Sequence, residues 1–242
     1  MRVRRWCAPV IMPSGIYTDS GMIQDLDLGI MPYAEALQRQ TELFDTLVDA
    51  KKNETAPGQE YLLTVQHTPV YTLGKHGHAE NLLRRIPGVD VVRITRGGDI
   101  TFHGPGQLVV YPIIDMARHH LGVKSYITLL EECIIRVIGR YGIKSERVEG
   151  ATGVWIAVGT PSERKICAIG VKCSRFCTMH GLALNVNTDL SYFNAINPCG
   201  FVDKGVTSME KELGSKVDFE QVRKEFVEEF HREIQEAEQL HG

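Results

Sequence analysis

Between Gly153 and Val186 the chain carries three apolar segments of strand length, GVWIAV, KICAIGVKC and MHGLALNV, separated only by short polar turns. Such short connections leave no room for a crossover, so the segments must fold back on one another as an antiparallel meander. A sheet built around that meander needs its apolar faces covered. Leu108 to Ile114 reads as a further strand with apolar content on both faces. EYLLTVQ (60–66) and VDVVRI (89–94) read as buried strands enclosing HTPVYTLGKHGHAENLL, whose Gly and His content suits a loop over a site.

Helices are available to cover the sheet. Pro32 suits the first turn of one whose apolar positions Ala34, Leu37, Phe44, Leu47 and Val48 recur near the helical period, ending near Lys51 and Lys52. Ser125 is placed to cap a second, with Tyr126, Leu129, Leu130, Cys133, Val137 and Tyr141 on one stripe. A third is expected from about Asp218 to Leu240, with Phe219, Val222, Phe226, Phe230 and Ile234 inward. Between residues 218 and 240 it carries eight Asp or Glu against three Lys or Arg, read as a solvated outer face. The expected class is α/β in the α+β sense, a mixed sheet with packed helices. Residues 1–21 are expected to be a poorly ordered extension and 22–242 one globular domain, its last fifty residues set apart as a small subdomain.

Composition removes several functions. With 27 basic and 30 acidic residues, the net charge of −3 offers no excess of positive charge for sequence-independent phosphate binding, so nucleic acid is not the expected ligand. No apolar run approaches the roughly 18 residues that span a bilayer, and Trp6 to Met12 is a poor secretory core. Six cysteines in 242 residues do not form a disulfide framework, which makes the cytoplasm the expected compartment.

Three features carry chemistry. Cys199 lies in Asn197-Pro198-Cys199-Gly200, where proline fixes φ and glycine permits a tight turn that presents the thiol. Lys165 opens an otherwise apolar strand, 34 residues before Cys199, where its ammonium would favour a nearby thiolate and its neutral form would take a proton from an amine. The loop Arg96 to Gln107, RGGDITFHGPGQ, has glycines that let backbone N–H groups approach a ligand, yet it is neither a P-loop nor a dinucleotide fingerprint. His103 and His180, each followed by Gly, suit walls of one pocket. Each feature alone also has a plain structural reading: a strand-edge lysine, hydrogen-bonded histidines, a buried cysteine. Cys167, Cys173, Cys177 and His180 are of the right types for zinc, but no C-x2-C pair occurs, so no metal is expected.

Taken together, RGGDITFHGPGQLVVYP, TGVW, KICAIG, HGLALNVNTDLSYF and NPCG occur in the order and spacing of the lipoyl(octanoyl) transferases, and the chain resembles that family over about residues 22–215. The resemblance implies a fold related to the biotin and lipoate protein ligases. It implies transfer of an octanoyl group from octanoyl acyl carrier protein to the acceptor lysine of lipoyl domains, those of 2-oxoacid dehydrogenase E2 subunits and of the glycine cleavage H protein. Cys199 would be the acyl-thioester nucleophile and Lys165 its partner, with no ATP, metal or redox cofactor. Arg96, Gly97, Gly98, Asp99, Ile100, Thr101, Phe102 and His103 match one acyl-pocket segment of the family. Ala168, Ile169 and Gly170 match a second, and Gly181, Leu182 and Ala183 a third. Lys75, Arg84, Arg85, Arg93, Arg164, Lys172 and Arg175 are candidates for docking an acidic carrier. The rivals are an ATP-dependent ligase of the same fold, which needs no nucleophilic cysteine, and a non-enzymatic lipoyl- or thiol-binding module.

Overall fold

The computed structural model describes residues 23–53, 58–75, 77–197 and 205–240. The expected meander is its centre. Strands β8 (Ala151–Ile156), β9 (Arg164–Ser174) and β10 (Cys177–Asn185) are antiparallel neighbours in sequence order. The turn between β9 and β10 is tight, with Arg175 and Phe176 at φ 50° and 67°, both in the left-handed region that two-residue hairpin turns use.

The sheet extends on both sides of the meander. Strand β6 (Gln107–Ile113) pairs with β10 and β2 (Glu60–His67) with β6, both antiparallel, while β1 (Ile23–Met31) adds to β2 in parallel through helix α1 (Tyr33–Lys52). With the short β7 (Glu146–Val148) beyond β8 and β11 (Gly205–Val206) parallel to β9, eight strands among the described residues form the sheet, in the order β1-β2-β6-β10-β9-β8-β7 with β11 off that path. A second sheet of three strands consists of β3 (Val70–Leu73), with β4 (Asp90–Arg93) parallel on one side and β5 (Ile100–His103) antiparallel on the other.

Each face of the main sheet has its own cover. Leu108, Val110, Leu182, Leu184 and Cys167 point toward helix α2 (Val123–Gly139) and the last helix, where they meet Leu130, Ile134, Phe226 and Phe230 in one core cluster. Val109, Tyr111, Ala183 and Met179 alternate to the opposite face and pack on Ala36, Phe44 and Leu47 of α1. A short helix α3 (Met209–Leu213) precedes the last helix, α4 (Phe219–Gln239).

Several expectations are corrected. The stretch after His67 is not simply a loop: it contains β3 and a 3-10 turn at Ala79–Asn81, and the glycine-rich stretch contains β5. Residues 90–93 form a partly exposed edge strand rather than a buried one. Ala34 is exposed, and Gln40 joins the inner face of α1. Helix α2 starts at Val123; Ser125 is its third residue, and its hydroxyl accepts from Gly122 N at 2.9 Å. Helix α4 is no separate subdomain, because Val222, Phe226, Phe230 and Ile234 belong to the same cluster as α2. Nor is it simply a solvated acidic face: Glu229 is buried against Arg140, at 2.6 Å, and Arg232. Glu238 accepts from His119 at 2.7 Å, and the other ring nitrogen of that buried imidazole meets the buried Glu60 at 3.0 Å. The expected extension at residues 1–21 lies outside the described residues.

Candidate active site

On the α1 side of β6, β10 and β9 the sheet is not fully covered. The segment Arg96–His103 crosses above it, and a cavity of about 90 Å³ lies between them. A glycine makes this crossing possible: a Cβ on Gly170 would stand 3.1 Å from both Arg96 Cδ and Gly97 O. Gly181 serves the sheet itself, since a Cβ there would meet Val110 O of β6 at 2.1 Å. Gly97 N donates to Val171 O at 3.3 Å, so the crossing segment is tied to β9 and closes one end of the cavity.

Arg96 is nine-tenths buried at that end. Its Nη2 donates to Thr72 O and Oγ1 at 2.8 and 2.9 Å and its Nη1 to Gly97 O at 2.8 Å, which fixes the guanidinium plane. His180 stands at the same end, opposite Val171 in the β9–β10 register. Lys165 marks the other end. It lies six residues before Val171 on β9, roughly 20 Å away at strand rise. Lys165 Nζ donates to Thr152 O at 3.0 Å and lies 4.5 Å from the centre of the Trp155 ring. Its neighbours near this end are polar and connected. Gln107 Oε1 is 2.7 Å from His103 Nδ1, Gln107 Nε2 donates to Asn185 Oδ1 at 2.9 Å, and Asn185 Nδ2 donates to Thr207 O at 2.9 Å.

Rings form the remaining wall. Tyr33, at the first turn of α1, stacks on His103 at 6.1 Å between centroids. Behind this lining His67 lies 5.1 Å from Tyr33 and contacts Tyr111 OH at 2.7 Å through Nε2. Burial pushes His67 down to about 4, against a backbone contact with Met31 that raises it. Burial likewise lowers His180 to about 4, helped by the charges of Arg96 and Lys172. His103 is held well below the usual imidazole range by burial, then by His67 and Arg96. Tyr33 is pushed up to about 12 by burial, with Arg96 opposing. At neutral pH these histidines and tyrosines are uncharged hydrogen-bonding groups, and such a wall suits a neutral, largely apolar ligand.

Comparisons with known proteins agree with one another. A family model for the lipoyl protein ligase A/B catalytic domain matches residues 32–231. A protein of Bacteroides thetaiotaomicron named Octanoyltransferase is 51% identical, with 88% of this chain and 96% of that one covered. One of Parabacteroides distasonis with the same name is 54% identical, with 84% and 96% covered. The chain belongs to the octanoyltransferases of the lipoyl protein ligase A/B family. The fold likeness extends to a solved bipartite lipoate protein ligase from Thermoplasma acidophilum, with TM-score 0.64, 19% identity, and 88% and 84% of the two chains covered.

In this member of the family, the described residues singled out from the sequence for the site border one cavity, with the exception of Phe102. Arg96 to Thr101, His103, Lys165, Ala168 to Gly170 and Gly181 to Ala183 all border the cavity. Phe102 instead faces away and stacks on Tyr192 at 4.4 Å, inside the small sheet's own core. Asp99 borders the cavity, while its carboxylate organises the loop, accepting from Ile100 N at 2.7 Å, His78 N at 3.2 Å and Asn81 Nδ2. The expectation for Cys199 falls outside the described residues. Phe193 and Val206, described residues on either side of its segment, both border the cavity. Cys167 and Cys177 are buried on opposite faces of the sheet and Cys173 is exposed. Sequence reading missed Tyr33, Gln107, Val109, Tyr111 and Asn185. Gln107 and Asn185 did leave a signal: each is an amide at the end of an apolar strand, where a buried polar group needs a partner.

Proposed function

We propose that the chain transfers an octanoyl group from octanoyl acyl carrier protein to the acceptor lysine of lipoyl domains, through a thioester on Cys199 with Lys165 as its partner. The observation that carries this reading is the cavity itself. It is narrow, walled by glycine backbone and apolar side chains, and bordered at one end by Lys165 and by residues on both sides of the Cys199 segment. One water-sized group needs roughly 10–15 Å³ of such space, so about 90 Å³ takes a chain of medium length.

In the first step the Cys199 thiolate attacks the carrier thioester, the tetrahedral oxyanion collapses, and the carrier thiolate leaves and takes up a proton. In the second, the neutral acceptor amine attacks the acyl-enzyme, loses a proton and expels the Cys199 thiolate. Thioester exchange is nearly balanced and thioester-to-amide transfer is downhill, so the sequence of steps calls for no ATP. Holding the acyl chain in a fixed channel supplies much of the rate by positioning.

The donor is acidic in this reading. Arg84 and Arg85 are exposed beside the exposed Leu83, and the amides of Leu83 and Arg84 donate to Ala195 O, close in sequence to the Cys199 segment. Arg164 is a weaker candidate, because Glu212 already engages it at 2.7 and 2.5 Å. Reversal of Arg84 and Arg85 to Glu is expected to raise KM for the carrier about threefold to tenfold, with kcat little changed; unchanged KM removes them from docking.

The deciding experiment mixes the purified protein with octanoyl acyl carrier protein without ATP, then adds an apo lipoyl domain. Mass spectrometry should find an octanoyl adduct on Cys199 that passes to the acceptor lysine. Modification of the acceptor only when ATP and free octanoate are supplied would replace this reading with an ATP-dependent ligase.

A further inference from the structure

The end of the cavity remote from Lys165 is polar and unsatisfied. His180 is 2% exposed and borders the cavity, and neither of its ring nitrogens has a hydrogen-bond partner among the described residues. Its φ of 59° lies in the left-handed region, where a residue with a side chain is uncommon and asks for a reason. Gln40 backs it, accepting from His180 N through Oε1 at 3.2 Å. The amide nitrogen of this fully buried glutamine also goes without a partner, lying near the Tyr111 hydroxyl but outside hydrogen-bond geometry. A buried polar atom left unmet costs about 1–3 kcal/mol. Three together mark a place where water or a polar ligand atom belongs.

The walls between the two ends are of another kind. Ala168, Ile169 and Gly170 on β9 face Gly181, Leu182 and Ala183 on β10, and none offers a side-chain hydrogen bond. Depth along the cavity therefore changes its chemistry from apolar to polar.

We propose that His180, backed by Gln40, limits the length of acyl chain that the cavity accepts. This rests on the acyltransferase reading above. An extended eight-carbon acyl chain, its carbonyl carbon included, spans about 9 Å, and the thioester sulfur adds about 2 Å more. Measured from the level of Lys165, it ends among the apolar walls, short of His180 at roughly 20 Å. Water then continues to serve the imidazole and the Gln40 amide. Four further carbons add about 5 Å, bring methylenes against His180 and expel that water without replacing its hydrogen bonds.

The test measures Kd by calorimetry for free octanoate and free dodecanoate with the full chain and with His180→Leu and Gln40→Leu. Each variant extends the apolar walls, and Gln40→Leu sits in a helix that favours Leu, so it serves even if His180→Leu does not fold. Wild type should prefer octanoate. His180→Leu should shift the dodecanoate-to-octanoate affinity ratio about tenfold toward the longer acid, and Gln40→Leu about threefold the same way. An unchanged ratio in both variants overturns the length limit while leaving acyl transfer standing, since binding is read without the reaction. If neither acid binds the wild-type protein, the length limit falls, while acyl transfer is decided by the octanoyl adduct on Cys199.

Discussion

The two faces of strands β6, β10 and β9 have opposite designs. Toward α2 and α4, Leu108, Val110, Leu182 and Leu184 join Leu130, Ile134, Phe226 and Phe230 in one apolar core cluster. Toward α1 and the small sheet, the same strands present Gly181, Ala183, Gly170 and Gln107, and buried imidazoles replace aliphatic side chains. Alternation along a strand sends neighbours to opposite faces, so one strand holds the fold together with one set of alternate residues and shapes a ligand channel with the other. Stability and function are thereby separable over distances of one residue.

Acidification should separate the faces most. Unfolded imidazoles titrate near 6.5, whereas His67 and His180 titrate at about 4 in the fold. Above pH 6.5 both states are neutral and these groups leave stability unchanged. As pH falls from 6.5 to 4 the unfolded chain takes up protons first, and stability should drop by on the order of 3 kcal/mol for each histidine. His119, on the other side, has the opposite sign. Its burial lowers the pKa, but Glu60 and Glu238 outweigh this and raise it. Its contribution is complete below 6.5 and is lost as pH rises through the folded value. Denaturant titrations across pH 4–9 should show the acid loss in wild type and in His119→Gln, with the alkaline loss only in wild type. An acid limb that disappears with His119 would break the comparison.

The next effect is on the packed face. Phe226→Ala should cost about 3–5 kcal/mol in unfolding free energy and leave octanoate affinity of the folded protein within about twofold, as measured by chemical denaturation and calorimetry. On the channel face Gly170→Ala should behave in reverse. Its Cβ would press on Arg96 Cδ and Gly97 O, each 3.1 Å away, costing only about 1 kcal/mol of stability while raising KM for the acyl donor about threefold. If Gly170→Ala unfolds the protein and Phe226→Ala weakens the ligand, the two faces are not separable.

The sequence made one face far easier to read than the other. The meander and the helices α2 and α4 announced themselves because Phe226, Phe230, Leu130 and Val137 recur at helical spacing and the strands between them are long and apolar. Strands β3 and β5 of the small sheet were missed because they have four residues each and lie in stretches rich in Gly and His, where turn chemistry masks alternation. The parallel pairing of β1 with β2 left no local trace, since a crossover partner is chosen by the whole sheet. Arg96, His103, Lys165 and Gly181 were legible through motif resemblance. Tyr33 and Tyr111 were not: each looks like an ordinary core aromatic until the helix start and the strand end bring them to one place. Phe102 sits in a matched segment, yet its side chain alternates away from the cavity, a distinction that a motif does not encode.

The order in which the walls are synthesised has a consequence for the ribosome-bound chain. The cavity borrows from Tyr33, from Arg96 to Tyr111, from Lys165 to Asn185 and finally from Val206, and Gln107 reaches its partner Asn185 across 78 residues. Helix α1 and the first strands emerge early, but their channel has no second wall until β9 and β10 have been translated. A nascent chain stalled before β9 therefore leaves the edge of β6 that β10 will pair without its partner, and a chaperone has its longest opportunity there. Catalytic competence, in this design, is acquired late and all at once.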